Sequence, residues 1–231
     1  NYRRLIASKF EDVRFRNLAE IGLPALLREW FKQEDDIETK VALAISPDLW
    51  LRVGMSPMPK KTVFFGVPST DRVDAEELFV ANESFWSQAE SFLPRQEAMS
   101  GVLSLAVGEA RRHLGLVANN LGVFMQDKQR DDLAFRAYRR ARALDPENVS
   151  ALLNQYAMLE AGFETDHEQE IRTSVEHLIE SLPSGRRVWS LARYNGYVRA
   201  PEAFMRLGLT WAMSGQRDMA ILGLNRALDL V

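Results

Sequence analysis

The chain has 231 residues, 46% of them apolar and 26% charged, with a net charge of −3 and no cysteine. That length suffices to bury a core in one or two domains, and the balance excludes wholesale disorder. The missing thiols exclude disulfide frameworks, thiolate zinc sites and cysteine nucleophiles, and the evenly spread charge argues against a nucleic-acid partner.

No run reaches the roughly 18 apolar residues of a membrane span, so this segment is not expected to insert directly into a membrane. The start at Asn1 carries neither a signal peptide nor an initiating methionine, and reads as an excised piece of a longer chain. No motif selects a compartment, and the cytoplasm and the extracytoplasmic face of a membrane both stay open.

Residues 1–94 do not repeat. Leu23–Phe31 predicts an amphipathic helix with Pro24 tolerated in its first turn, and Asp36 or Thr39 starts a second through Val41 to Ile45. Between Pro47 and Pro68, prolines and glycines bracket Leu49–Val53 and Thr62–Phe65, which predicts an irregular region with one or two short strands. Asp74 then caps a helix from Ala75 to about Phe92, ended by Pro94.

From residue 95 onward the period is helical almost throughout. Gln96–Leu114 reads as one helix, whose Gly101, Ala106, Gly108 and Ala110 suggest a close neighbour. Val117–Met125 and Asp131–Leu144 form a hairpin stopped by Pro146, because proline lacks an amide hydrogen and biases the preceding residue away from helix. Ser150–Ala161 and Glu168–Leu182 form a weaker hairpin. An insertion at about 183–200 holds a short helix through Trp189 and Leu191, and a final hairpin follows.

One spaced set occurs twice. Ala118, Leu121, Gly122, Met125, Ala134, Tyr138 and Ala141 recur as Phe204, Leu207, Gly208, Trp211, Ala220, Leu224 and Ala227. Small residues at Gly122 and Ala134, or at Gly208 and Ala220, let two antiparallel helices approach closely. Leu121, Tyr138, Leu207 and Leu224 are then expected to fill the space between neighbouring hairpins. The set resembles the tetratricopeptide repeat, whose period is about 34 residues. The resemblance covers 115–148 and 201–231 well and 149–182 weakly. The copies start 86 residues apart, where two regular periods give about 68, so about 18 residues have been added.

The resemblance implies a mainly α fold: stacked antiparallel hairpins in a right-handed superhelix, behind an N-terminal region of helices and short strands. It implies a non-enzymatic scaffold that takes a peptide or a helix of a partner protein in its concave groove, with no cofactor. By the same implication the groove is lined by Asn119, Asn120, Val123, Gln126, Asn154, Met158, Met205, Leu209 and Met213. This lining departs from members that clamp a C-terminal carboxylate, since Leu116, Val123 and Met205 occupy comparable faces and only Asn119, Asn120 and Arg206 are suited to help. An alternative is a soluble regulatory or orienting tail of a larger envelope protein or enzyme, anchored in a membrane by its parent chain.

Other chemistry is sparse. His113, His167 and His177 lack metal-ligand spacing, and neither a phosphate loop nor a dinucleotide or nucleophile-elbow motif is present. Glu34, Asp35, Asp36 and Glu38 read as a solvated loop, and Arg186–Trp189 as a plug in the insertion. Arg136, Arg139, Arg140 and Arg142 read as an exposed surface offset by Asp131, Asp132, Asp145 and Glu147. An enzyme site between Pro47 and Pro68 has only Asp48, Arg52, Lys60 and Lys61 to draw on. The sequons at Asn82 and Asn148 matter only in a eukaryotic secretory setting.

Overall fold

The structure is a computed structural model that describes residues 11–33, 42–43, 47–93, 100–181 and 194–231. It is mainly helical with a small sheet. The chain divides into two compact units, 1–58 with 63–70, and 59–62 with 71–231. The helix that begins at Ala75 packs on helices of the second unit.

In the first unit, α1 (Val13–Ile21) starts at Asp12, whose carboxylate accepts the Arg14 amide at 2.7 Å. It packs on α2 (Leu23–Gln33) through Ala19 and Leu26, flanked by Phe15 and Leu18. β1 (Ala42–Leu43) pairs antiparallel with β3 (Val63–Val67), Ala42 opposite Phe65, so the helix expected from Val41 to Ile45 is replaced by a strand where the residues are described.

Leu49–Val53 forms not a strand but the short helix α3 (Asp48–Arg52), opened by Pro47. Its Trp50 is fully buried, donates Nε1–H to the Phe64 carbonyl at 2.9 Å and stacks on Phe31 at 5.5 Å. Gly66 faces this ring so closely that a β-carbon there would lie 2.2 Å from it. β2 (Ser56–Lys60) carries Pro57 and Pro59 and lies at the edge of the order β1-β3-β2, where a missing amide donor costs no ladder bond.

In the second unit, α4 (Ala75–Phe92) is capped by Asp74, which accepts the Glu77 amide at 2.9 Å, as its sequence predicts. Buried Asn82 donates to the Pro59 and Leu78 carbonyls, Trp86 Nε1–H to the Lys61 carbonyl at 2.8 Å, and His113 Nε2–H to the Thr62 carbonyl at 2.6 Å. Residues 59–62 are therefore held by α4 and the helix that follows it.

That helix, α5 (Gly101–Asp127), runs unbroken through the expected boundary near Leu114. Ala106 and Ala110 are exposed; the close approach lies further on, at Gly115 and Gly122. α6 (Asp131–Leu144), α7 (Val149–Glu160) and α8 (Glu168–Ser181) follow, each packed on its predecessor. α9 (Pro201–Met213) and α10 (Arg217–Leu228) form a further antiparallel pair. The helix expected through Trp189 and Leu191 lies outside the described residues, as do the acidic loop at 34–38 and the plug at 186–189.

The repeated small residues sit where helices touch. A β-carbon on Gly122 would lie 2.3 Å from the Tyr138 ring, and one on Gly223 would lie 3.0 Å from the Gly208 Cα. Tyr138 therefore fills its own hairpin rather than the space between hairpins, with its hydroxyl donating to Gln126 at 2.7 Å. Of the four arginines of α6, Arg136 and Arg139 are exposed, as expected, and Arg140 and Arg142 are half-buried. Arg140 reaches Glu83 and Glu90 of α4, Arg136 lies 4.5 Å over the Phe79 ring, and Arg142 contacts Gln155 and Ser174.

Gly122→Ala is expected to cost about 1–3 kcal/mol by overpacking against a ring that has no room to retreat. In a Tyr138→Leu background the cost shrinks. A double-mutant cycle by denaturant unfolding checks this, and additive costs would contradict the contact.

Candidate functional site: an asparagine-lined groove

The most distinctive polar arrangement begins with two adjacent residues of α5. Asn119 and Asn120 are buried, at 0% and 5% exposure, in a helix whose other buried positions are almost all apolar. On α7, Asn154 is 1% exposed and donates Nδ2–H to Asn119 Oδ1 at 3.0 Å. Buried amides demand partners, because each one left unsatisfied costs about 1–3 kcal/mol.

The partners come from the main chain of 195–199, a stretch without regular secondary structure just before α9. The Tyr197 carbonyl accepts from both Asn119 Nδ2 and Asn154 Nδ2 at 2.9 Å. The Tyr197 amide donates to Asn120 Oδ1 at 2.9 Å, and the Arg199 amide to Asn154 Oδ1 at 2.7 Å. The start of α7 adds two more contacts. Ser150 Oγ–H donates to the Gly196 carbonyl at 2.8 Å, and Asn148 donates Nδ2–H to the Asn195 carbonyl at 3.2 Å while its Oδ1 caps α7 through the Ala151 amide.

Two charged groups frame the segment. Asp145 accepts from Asn195 Nδ2 at 3.3 Å, and burial pushes its carboxyl above the ordinary aspartate range, opposed by the Glu147 amide, the Arg112 charge and the Asn195 amide. Arg199 Nε–H reaches Asp127 at 3.0 Å, and Arg226 of α10 joins the same carboxylate.

Of the nine residues expected to line a groove, the structure brings Asn119, Asn120 and Asn154 onto the main chain of Tyr197 and Arg199. Val123 and Met158 are buried in the core, and Gln126 accepts from Tyr138. Met205, Leu209 and Met213 are exposed on α9, at 45%, 50% and 90%, at the four-residue spacing of one helical face. Asn148, Ser150, Asp145 and Gly196 escaped sequence reading as groove residues. Their signals were a helix cap and an Asn-Gly dipeptide, neither of which names a distant partner. Asn82 and Asn148, the two sequon asparagines, are buried and hydrogen-bonded.

A separate cavity of about 270 Å³ is lined by Arg139, Arg142, Gln155, His167, Glu170 and Ile171, among others. Burial lowers the Arg142 pKa, which Glu170 counters. His167 Nδ1 lies 3.2 Å from Glu170 and His177 Nδ1 lies 3.8 Å from Glu180. Asp48 sits at the start of α3, the Arg52 carbonyl accepts from Arg28, and Lys60 and Lys61 lie at the β2–β3 turn. Among the described residues no group of three or more potential metal ligands occurs, and no helix is long and apolar enough to cross a membrane. No protein-family model, curated protein or solved structure matches the chain.

A carboxyl whose pKa rises on folding binds its proton more tightly in the native state. Asp145 therefore lowers stability near neutral pH, and that loss is recovered as pH falls through its raised value. Asp145→Asn is expected to lack this recovery. Thermal unfolding of both proteins between neutral and mildly acidic pH checks it, and parallel curves would contradict it.

Proposed function

We propose that the chain is a non-enzymatic protein-interaction scaffold of the tetratricopeptide-repeat type, which takes an extended peptide of a partner along the first helices of its hairpins. The observation that carries this reading is the set of side-chain amides on α5 and α7 that engage the main chain of Tyr197 and Arg199, in a stretch without regular secondary structure. Side-chain amides that bond main-chain carbonyls and amides recognise a peptide by its backbone, and such recognition tolerates varied side chains.

The repeat assignment is supported by two antiparallel hairpins with helix contacts at equivalent small residues, Gly122 and Gly208. A superhelical stacking of those hairpins is part of the same proposal. α9 follows directly from the held strand and presents Met205, Leu209 and Met213, an exposed apolar stripe of flexible side chains that adapts to varied apolar surfaces. The backbone of a partner would then be read by amides, with its apolar side chains resting on α9.

Arrayed extended peptides, probed with the purified chain, test this. Met205→Glu combined with Met213→Glu is expected to weaken capture about tenfold or more while leaving thermal stability unchanged, since both side chains are exposed. Undiminished capture by that variant, or no capture by the parent chain, would overturn the reading.

A further inference from the structure

The strand that fills the amide groove belongs to the same chain, and its fit is specific in one respect and incomplete in another. Gly196 has φ +101°, a left-handed conformation that side chains rarely adopt. A β-carbon there would lie 2.7 Å from Asn119 Nδ2, 2.8 Å from Asn120 Oδ1 and 3.2 Å from the Leu116 carbonyl. Both the conformation and the space therefore demand glycine. Beyond it, the Tyr197 ring sits 5.9 Å from the Phe204 ring and Val198 is buried.

The incomplete feature is Asn120. Its Oδ1 accepts the Tyr197 amide, yet its Nδ2 is buried and lacks a hydrogen-bond partner, alone in this among buried side-chain polar atoms of the described residues. The resident strand thus leaves one donor of its receptor unused. An occupant that carried an acceptor at that point would gain a bond the resident strand does not make.

We propose that residues Asn195–Arg199 act as a built-in competitor in a peptide groove whose external ligand is an extended segment with glycine followed by an aromatic residue. The groove is closed in cis until such a segment displaces the strand. This inference rests on the scaffold reading above. A strand tethered beside its site acts at an effective concentration in the millimolar range, so an external peptide binds the parent chain weakly. Apparent affinity falls in proportion to the fraction of chains whose groove is open.

The argument has three parts. The Asn195, Gly196 and Tyr197 carbonyls and the Tyr197 and Arg199 amides are each held by a side chain of the groove. The groove residues Asn119, Asn120, Asn148, Ser150 and Asn154 all lie on α5 or at and within the start of α7, so the receptor and the strand come from different parts of the sequence. Glycine at one position is a sequence requirement that an external ligand must share.

The test uses the hexapeptide Tyr-Asn-Gly-Tyr-Val-Arg, capped at both ends, and a control with alanine in place of glycine. Binding is followed by fluorescence anisotropy on the full chain and on Gly196→Ala, with circular dichroism to confirm folding. Gly196→Ala is expected to bind the glycine peptide about tenfold or more tightly than the parent chain does, because the cis strand no longer fits. The alanine peptide is expected to bind neither protein. Equal affinity for both peptides, or no gain in a folded Gly196→Ala chain, overturns the proposal.

Hydrogen exchange on the parent chain covers the case in which Gly196→Ala does not fold. Excess glycine peptide is expected to speed exchange at the Tyr197 and Arg199 amides, and unchanged exchange at saturating peptide overturns the proposal. If exchange is unchanged while capture of arrayed peptides still depends on Met205 and Met213, cis occupancy fails and the scaffold reading stands. Loss of both removes both.

Discussion

The second unit depends on one obligation: amides buried between α5 and α7 must be satisfied, and the main chain of 195–199 supplies the donors and acceptors that do it. Asn119 and Asn154 converge on the Tyr197 carbonyl, and Asn154 also takes the Arg199 amide. Removing the strand would strand several buried polar groups at once, each at a cost of about 1–3 kcal/mol. The strand in turn fixes where α9 begins, and Arg199 and Arg226 meet on Asp127 to tie α10 to the end of α5.

Close helix packing is what brings those amides together. Gly122 lies under Tyr138, and Gly115 lies against Asp145 and Asn148, so α5 runs near enough to the start of α7 for Asn119 and Asn154 to touch. A methyl group at either glycine would push the helices apart before any peptide is considered. The arginines of α6 serve the same end from the other side. Arg140 is held by Glu83 and Glu90 of α4, and Arg142 by Gln155 of α7 and Ser174 of α8, so α6 is tied to three helices while Arg136 and Arg139 stay exposed.

Much of the helical unit was legible because its ends carry chemical signals. Asp74 caps, Pro146 stops, and α4, α6, α7 and α8 lie within a residue of where the sequence puts them. The boundary expected near Leu114 is absent: Gly115 gives room against the Ala141 carbonyl within an unbroken helix. Leu49–Val53 has strand-like composition, but the Pro47-Asp48 start favours a helical turn and burial of Trp50 secures it. The prolines of β2 hid a strand that exists only because it is at an edge. The resemblance singled out Asn119, Asn120 and Asn154, but nothing in the sequence named the residues 195–199 that they bond. A stretch without period announces no partner 43 to 78 positions away.

Trans-hydrogen-bond couplings by NMR would test the central claim most directly, since they register a bond between named nuclei. The account expects couplings from the Asn119 and Asn154 side-chain nitrogens to the carbonyl carbon of Tyr197 in the free chain. Their absence, with the Tyr197 carbonyl bonded to water and both amides exchanging freely, would contradict it.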